Sequence, residues 1–374
     1  MDSISQMALG AALADATLGR RIGRRAAALG AALGTLPDLD VLVRYADAID
    51  SFTLHRGWSH SLFVLSLASL PLAAIAQRLL DPGVRARGGS ADRAEPAGAA
   101  TARAAGAAGT TGGPSGASFG RWWLATWAVL ITHAILDAFT TYGTQLFWPL
   151  PVPPVSIGSV FIIDPFYTLP LLAGLVVALR RRDARGRRAN LAGLGASTAW
   201  LVATLGLQQV ARAEAVKAFE LAGVEPEATL VLPFPFGVLW RAIALEGDGY
   251  AVVWVSLVDG RRSVEVERHD RALDDLALDD RRGLERLDWF TGGFVGARRV
   301  DDRLVLTDLR IGTGAMPVFA FEAAEPDGDR WRATLAEERA PVVDAAVLGA
   351  LARRTVDADA PLVDGPLAGT APVP

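Results

Sequence analysis

The chain has 374 residues, of which 51% are hydrophobic, and its formal net charge is −4. Its mean hydropathy is positive, which is too apolar for a soluble protein of this size and predicts membrane segments beside a folded domain. The absence of cysteine excludes disulfides and thiolate metal sites. Because the charge has no basic excess, we expect no nucleic-acid partner.

The apolar residues are concentrated before residue 210, in six segments. These are residues 7–19, 26–36, 61–80, 121–138, 159–179 and 191–210. The first two are shorter than the ~20 residues that a spanning helix needs, so they could form a tilted hairpin or two amphipathic helices on a soluble core. We predict an α-helical polytopic membrane domain with about four to six membrane helices.

The remaining segments differ in composition. Residues 82–118 are mostly Gly, Ala, Pro, Ser, Thr and Arg without an apolar period, which predicts a disordered loop. Beyond residue 213 apolar and charged residues alternate. Strands are predicted at 251–257, 263–266, 303–306 and 318–321, and a charged helix at 270–288 with an exposed His269 at its start.

These elements predict a domain order. Membrane helices with the metal-ligand motifs occupy 1–81, and helices that complete the site occupy 119–212. A soluble α+β domain at 213–356 lies outside the membrane, and a disordered tail follows at 357–374.

Arginine is concentrated in three loops, at 20–25, 78–103 and 180–188. The positive-inside rule places such loops in the cytoplasm. With these loops inside, we expect a multi-pass protein of a bacterial-type inner (plasma) membrane. The candidate ligands and the C-terminal domain then lie together on its external face.

Histidines and acids cluster beside the apolar segments. His55 and His60 lie five residues apart, His133 lies four residues before Asp137, and Asp38 follows an apolar run. Imidazole and carboxylate are the usual ligands of catalytic zinc. Because polar groups beside hydrocarbon are costly, such groups usually have a function.

These residues predict one metal site. The expected metal ligands are His55, His60, His133, Asp137 and Asp40, and the expected catalytic groups are Asp38, Arg56 and Asp164. We expect a divalent ion, zinc first, with manganese or magnesium as alternatives, to activate a water that attacks an ester or phosphoester. Arg56 would hold an anionic oxygen of the substrate.

Other interpretations stay open from the sequence. The histidines could cap helix ends, and the aspartates could terminate the preceding helix and face water. Arg56 could extend its charged group to the membrane–water interface. Asp15, Asp164 and His133 could form the polar relay of a membrane transporter. The chain could also be a non-catalytic membrane protein whose outer domain binds a partner.

The motifs together resemble a known family. They are DSISQ at 2–6, GTLPDLD at 34–40, HRGWSHS at 55–61, HAILD at 133–137 with TTYGTQ at 140–145, and IDPFYT at 163–168. Over roughly residues 1–210 the chain resembles the YdjM-like (DUF457) integral-membrane, metal-dependent hydrolases. The resemblance implies a multi-pass inner-membrane protein that acts, in the lipid bilayer, as a divalent-metal hydrolase. The C-terminal domain looks like an extension that some members carry.

Overall fold

The computed structural model describes most of the chain. The described residues are 1–84, 118–234, 237–258, 265–273, 276–313, 317–339, 345–355 and 357. The predicted loop at 82–118 and the predicted tail at 357–374 lie almost wholly outside these ranges.

The N-terminal region is helical. Its helices are α1 (Ser3–Ile22), α2 (Arg25–Thr35), α3 (Ala48–Leu54), α4 (Leu62–Leu80), α5 (Phe119–Ala138), α6 (Pro165–Arg180) and α7 (Ala184–Leu221). Short 3-10 helices cover Pro37–Leu42 and Trp58–His60. All six apolar segments are helical over most of their length. The fifth begins later than expected, because Asp164 caps α6 and Pro165 opens it.

Glycine lets the helices approach closely. A Cβ atom at Gly10 of α1 would lie 2.2 Å from the carbonyl oxygen of Gly30 in α2, and one at Gly193 of α7 would lie 2.4 Å from that of Pro170 in α6. Small residues at such crossings are typical of helix packing in membranes. Packing of α1 on α2 brings Gly34, at the end of α2, against the start of α1.

Two helices in the described ranges, α4 and α7, have the length and hydropathy needed to cross a bilayer. Phe63, Leu67 and Leu79 of α4 are exposed. Its inner face carries hydroxyl groups, and the Oγ atom of Ser69 accepts a hydrogen bond of 2.9 Å from the indole of Trp123. This is the pattern of a helix with an apolar outer surface and a polar inner one.

The C-terminal region forms two antiparallel sheets. The strands are β1 (Ala228–Pro233), β2 (Leu239–Glu246), β3 (Gly249–Ser256), β4 (Val266–Asp270), β5 (Val295–Val300), β6 (Arg303–Asp308), β7 (Ala320–Asp327) and β8 (Arg330–Glu338). The first sheet has the order β1-β2-β3-β4 and the second β5-β6-β7-β8. Helices α8 (Arg282–Thr291) and α9 (Ala345–Arg354) complete the described part.

One prediction in this region is wrong. The charged helix expected at 270–288 begins only at Arg282, and its first predicted residue, Asp270, ends strand β4. His269 lies opposite Tyr250 in the β3–β4 pair and packs on its ring, so it is half-buried. β4 is an edge strand, and its charged, partly exposed residues hide the alternation that marks a buried strand.

Among the described residues, helices α7 and α3 both pack into the cores of the C-terminal domain. Ala215 and Phe219, near the end of α7, are buried against the first sheet. Ile49 and Phe52 of α3 are buried in the core of the second sheet. The segment that leads to the histidine motif is therefore part of the core of the C-terminal domain.

Candidate metal centre

Four ligand atoms meet where three helical segments end. Asp38 lies in the 3-10 helix after α2, His60 ends the 3-10 turn before α4, and His133 and Asp137 lie one turn apart near the end of α5. Helical spacing of four residues places His133 and Asp137 on one face. His60, His133 and Asp137 are buried, whereas Asp38 is partly exposed.

The distances between these atoms are nearly equal. Nε2 of His60 lies 3.1 Å from Nε2 of His133 and 3.1 Å from Oδ2 of Asp137. Oδ1 of Asp38 lies 3.4 Å from both imidazole nitrogens, and Nε2 of His133 lies 3.4 Å from Oδ2 of Asp137. Ligand atoms around one tetrahedral zinc ion are about 3.3–3.6 Å apart. The four side chains could therefore hold a metal ion.

Hydrogen bonds direct both imidazoles toward this point. Nδ1 of His133 lies 2.7 Å from the carbonyl oxygen of Gly34, which can only accept, so this nitrogen donates. The hydroxyl of Ser59 donates to Asp40 and lies 2.9 Å from Nδ1 of His60, so it accepts from that nitrogen. A neutral imidazole that donates through Nδ1 keeps a free lone pair on Nε2. Two such lone pairs would face each other and could bind one shared cation.

The carboxylate of Asp137 is held through one of its oxygens. Oδ1 accepts a hydrogen bond of 3.0 Å from Nε2 of Gln6, forms an ion pair with the α-amino group of Met1, and lies 3.2 Å from Nη2 of Arg56. Oδ2 is buried and has no hydrogen-bond partner in the ranges that the structure describes. A buried carboxylate oxygen without a donor is costly, and a bound cation would remove that cost.

Asp40 fixes the loop that carries the histidines. Its carboxylate accepts hydrogen bonds from the hydroxyl of Ser59 and, at 2.9 Å, from the backbone N–H of Arg56, and it lies 2.7 Å from Nδ1 of His55. Burial alone would raise the pKa of Asp40, but the hydrogen bonds from His55 and Ser59 hold this pKa below its usual range. Asp40 is thus a charged anchor for residues 55–60.

The guanidinium of Arg56 is buried beside the four ligand atoms. Its Nη1 donates to the hydroxyl of Thr140 at 3.3 Å, and its Cζ lies over the ring of Tyr142, 5.1 Å from the ring centroid. Nε is buried and has no acceptor in the described part of the chain. The backbone of Arg56 has a φ of 58°, an uncommon value for a side-chain-bearing residue, which the contacts of the loop stabilise.

The structure brings four of the sequence-predicted residues together and places two others beside them. The ligand atoms that converge belong to Asp38, His60, His133 and Asp137. His55 and Asp40 form a pair beside them and lie outside the converging set. The ring centroid of His55 is 6.1 Å from that of His60.

Asp164 and Asp15 have other partners. Asp164 accepts from the backbone N–H groups of Phe166 and Tyr167 and from the indole of Trp200 at 3.0 Å. The two backbone contacts are those of a helix cap, and together with the indole they engage both carboxylate oxygens of Asp164. Asp15 is buried and pairs with Arg182 at 2.6 Å.

The site lies at one end of the helical region. Helix α4 begins beside His60 and ends beside Asp81, which pairs with Arg21 at 2.7 Å. Its 19 residues separate these two ends by about 28 Å, close to the thickness of a bilayer core. The acids and histidines therefore lie at the end opposite to Arg21.

Sequence reasoning gave no site role to Gln6, Ser59 or the carbonyl group of Gly34. Gln6 and Ser59 do belong to the motifs that resemble the YdjM-like family, and Gln6 is a polar residue directly before an apolar segment. The position of Gln6, a polar residue at the start of an apolar helix, could have indicated a role at the site. No side-chain pattern identifies a backbone carbonyl as a partner.

One comparison with known proteins finds a match, and this match covers the helical region. Comparison with curated proteins and with solved structures finds no match. A family model described as YdjM inner membrane protein matches residues 1–215, a range that contains the four converging residues, and it confirms the resemblance. Because this match covers more than half of the chain, the protein belongs to the YdjM inner membrane protein family.

Proposed function

We propose that the protein is a membrane-bound, metal-dependent hydrolase that cleaves an ester or a phosphoester. The observation that carries this proposal is the set of four ligand atoms from Asp38, His60, His133 and Asp137, which all lie within 4.8 Å of one another. Oxygen and nitrogen ligands without thiolate are typical of zinc, manganese and related ions in hydrolytic sites. Zinc is our first choice of metal.

When bound, a divalent ion supplies a Lewis acid and lowers the pKa of a bound water. Asp38 is the ligand that reaches solvent, with 19% of its side chain exposed, whereas the other three are enclosed. Water and substrate therefore enter from the side of Asp38. Burial would raise the pKa of Asp38, but its contacts with His133 and His60 hold it well below the usual range, so Asp38 enters the site as a carboxylate.

Arg56 is suited to hold an anionic oxygen of the substrate. Its Nη2 lies 3.2 Å from Oδ1 of Asp137, and its Nε–H has no acceptor among the described residues. A buried, pre-oriented guanidinium stabilises negative charge that develops at an adjacent ester or phosphoester.

His55 is suited to move a proton. Nδ1 is held by Asp40, and 23% of the side chain is exposed at the edge of the site. An imidazole that one carboxylate orients can donate a proton from its other nitrogen to a leaving group. In this proposal His55 is a catalytic acid, and Asp40 is the residue that positions it.

The surface beside the site favours a lipid-derived substrate. Leu39, Val41 and Leu42, which directly follow Asp38 along the chain, are exposed, as is Trp58 in the histidine motif. An exposed apolar group next to a polar site fits an amphiphilic substrate whose acyl chains stay in the bilayer.

We also propose the membrane topology. The loops at 20–25 and 180–188 lie at the end opposite to the site, and their arginines favour the cytoplasm. With four to six of the helices in the membrane, the metal centre and the C-terminal domain then lie on the external face.

The transporter alternative has less support. A proton relay needs contact between its members. In the described residues, Asp15 pairs with Arg182 and Asp164 caps α6, and neither makes a hydrogen bond with His133. A protein-binding outer domain is compatible with the fold, and metal-free protein that stays folded and binds a partner would favour it.

The test is metal analysis of detergent-purified protein, followed by turnover of soluble and lipid phosphoesters and esters. We expect about one equivalent of metal in the wild type, and a large loss in His60→Ala and in His133→Ala. His269→Ala is the matched control, because this histidine lies on β4 in the C-terminal domain. Unchanged metal in both site variants would refute the metal centre. Stoichiometric metal without turnover on the whole panel would refute the hydrolase and leave the metal centre standing.

A further inference from the structure

A crevice lies at the opposite end of the helices from the metal centre. It is a small space, open to solvent, between the last turns of α1 and the turn that joins α6 to α7. Its charged lining consists of Arg20, Arg181, Arg182, Arg187, Asp15 and Asp183. The crevice has no part in the proposed hydrolysis.

Both aspartates of the crevice are already engaged. Asp15 is buried and accepts from Nη1 of Arg182 at 2.6 Å, while Nη2 of the same arginine donates to the carbonyl oxygen of Gly19 at 2.8 Å. Asp183 caps α7 by accepting from the backbone N–H of Gly186 at 2.9 Å. These contacts fix the floor and one wall of the crevice.

The remaining charge of the crevice is positive. In the part of the chain that the structure describes, the guanidinium groups of Arg20 and Arg187 make no hydrogen bond or ion pair with a carboxylate. They belong to different helices, α1 and α7, and both line the same space. Guanidinium groups converging from two helices match the oxygens of a phosphate.

The crevice lies at a helix end, where a lipid headgroup could reach it. It is formed by the ends of α1 and α6 and by the start of α7, at the end of the bundle where Arg21 pairs with Asp81. Basic pockets between membrane helices on the cytoplasmic side bind the headgroups of anionic lipids. We propose that this crevice binds the phosphate group of an anionic phospholipid, between Arg20 and Arg187.

Native mass spectrometry of the full chain, delipidated and titrated with phosphatidylglycerol, tests the proposal. We expect a saturable lipid adduct that phosphatidylcholine does not form. A juxtamembrane cation contributes roughly a fivefold change in binding, so Arg20→Gln and Arg187→Gln should each weaken the adduct about fivefold and the double variant about 25-fold. Arg25→Gln is the matched control, because this exposed arginine lies near the same membrane end but outside the crevice.

The controls distinguish binding in the crevice from general electrostatic attraction between the protein and the lipid. Melting temperatures and gel-filtration profiles establish that the variants fold. If the double variant does not fold, the single Arg187→Gln variant carries the test. Equal binding by wild type and the folded crevice variants would overturn the proposal, as would an equal loss in Arg25→Gln.

Titration with inorganic phosphate distinguishes free phosphate from the phosphate group of a lipid as the ligand. Arginine-dependent binding of free phosphate without a phosphatidylglycerol adduct would overturn the lipid assignment.

Discussion

The Nε2 atoms of His60 and His133 lie 3.1 Å from each other, although 73 positions separate the two residues in the chain. In a neutral ring that donates through Nδ1, as the contacts with Ser59 and Gly34 favour for both histidines, Nε2 carries no proton. Both Nε2 atoms are therefore available to one metal ion, which distinguishes these histidines from His55, whose Nδ1 faces Asp40.

Substitution of His55 separates proton transfer from metal binding. We expect His55→Ala to keep the metal content of the wild type, because the ring lies outside the four-atom set, while turnover falls about 10²–10⁴-fold. Metal is measured on purified protein and turnover on the substrate that the wild type cleaves. Loss of metal in this variant would make His55 a ligand. Full turnover would remove its role as a proton donor.

Phe52 connects the histidine loop to the C-terminal domain. Its ring packs on Tyr142, Phe290 and Phe321 at centroid distances of 4.9–5.2 Å. Phe52→Ala should lower the free energy of unfolding by about 3–5 kcal/mol, because it leaves a cavity among aromatic rings. Thermal melting measures the effect, and hydrogen exchange should increase across residues 48–54.

The control for Phe52 is Leu335→Ala, since Leu335 is an exposed apolar residue on β8. We expect this change to shift stability by less than about 0.5 kcal/mol. An equal effect of both substitutions would show that α3 does not hold the two regions together.

Gly10 sets the distance between α1 and α2. Gly10→Ala should destabilise the helical region and reduce metal binding, because the new Cβ atom would meet a backbone carbonyl at 2.2 Å and push apart the helices that hold Gln6 and Gly34. Gly206→Ala in α7 is the matched control, since nothing lies within 4 Å of its Cβ position. That change should be neutral or stabilising by up to about 1 kcal/mol. Similar melting temperatures for both variants would contradict the close packing.

Arg298 is a buried cation of the second sheet. Nε and Nη1 have no partner in the described residues, and burial, together with the nearby charge of Arg339, lowers the pKa of Arg298 to about 10. The folded state therefore holds this proton less tightly than the unfolded state, so the charge opposes folding at neutral pH.

Replacing this charge should stabilise the domain. We expect Arg298→Met to raise the free energy of unfolding by about 1–3 kcal/mol, because it removes unpaired buried donors and keeps the volume of the side chain. Arg330→Met, at an exposed position on β8, is the control and should be nearly neutral. A fall in the melting temperature of Arg298→Met would show that the guanidinium has a partner that stabilises it.

The positions of Asp38 and Asp40 illustrate the limit of sequence reasoning. The motif Pro-Asp-Leu-Asp identifies both carboxylates as unusual beside an apolar run, but it does not assign their roles. In a 3-10 helix, residues two apart point in different directions, because each turn holds about three residues. Asp38 therefore reaches His60 and His133, whereas Asp40 reaches the loop that carries His55.

The C-terminal region was predicted less well than the helices. The strands predicted at 251–257 and 303–306 correspond to β3 and β6, which are short apolar runs buried along almost their whole length. The charged helix predicted at 270–288 overlaps the last residue of β4 and the first seven residues of α8, because surface charge carries little information about period. Helix α3 lies between the predicted apolar segments, and only the core of the second sheet makes Ile49 and Phe52 apolar anchors.

The sequence by itself determined the helical N-terminal region, the sheet-containing C-terminal region and the set of polar residues from which a metal site would come. These properties depend on local composition, since hydrophobic length and turn chemistry act over a few residues. Only the tertiary structure decided which carboxylate joins which imidazole. That choice depends on hydrogen bonds such as those from His133 to Gly34 and from Gln6 to Asp137, which join residues about a hundred positions apart and form only when α1, α2 and α5 pack together.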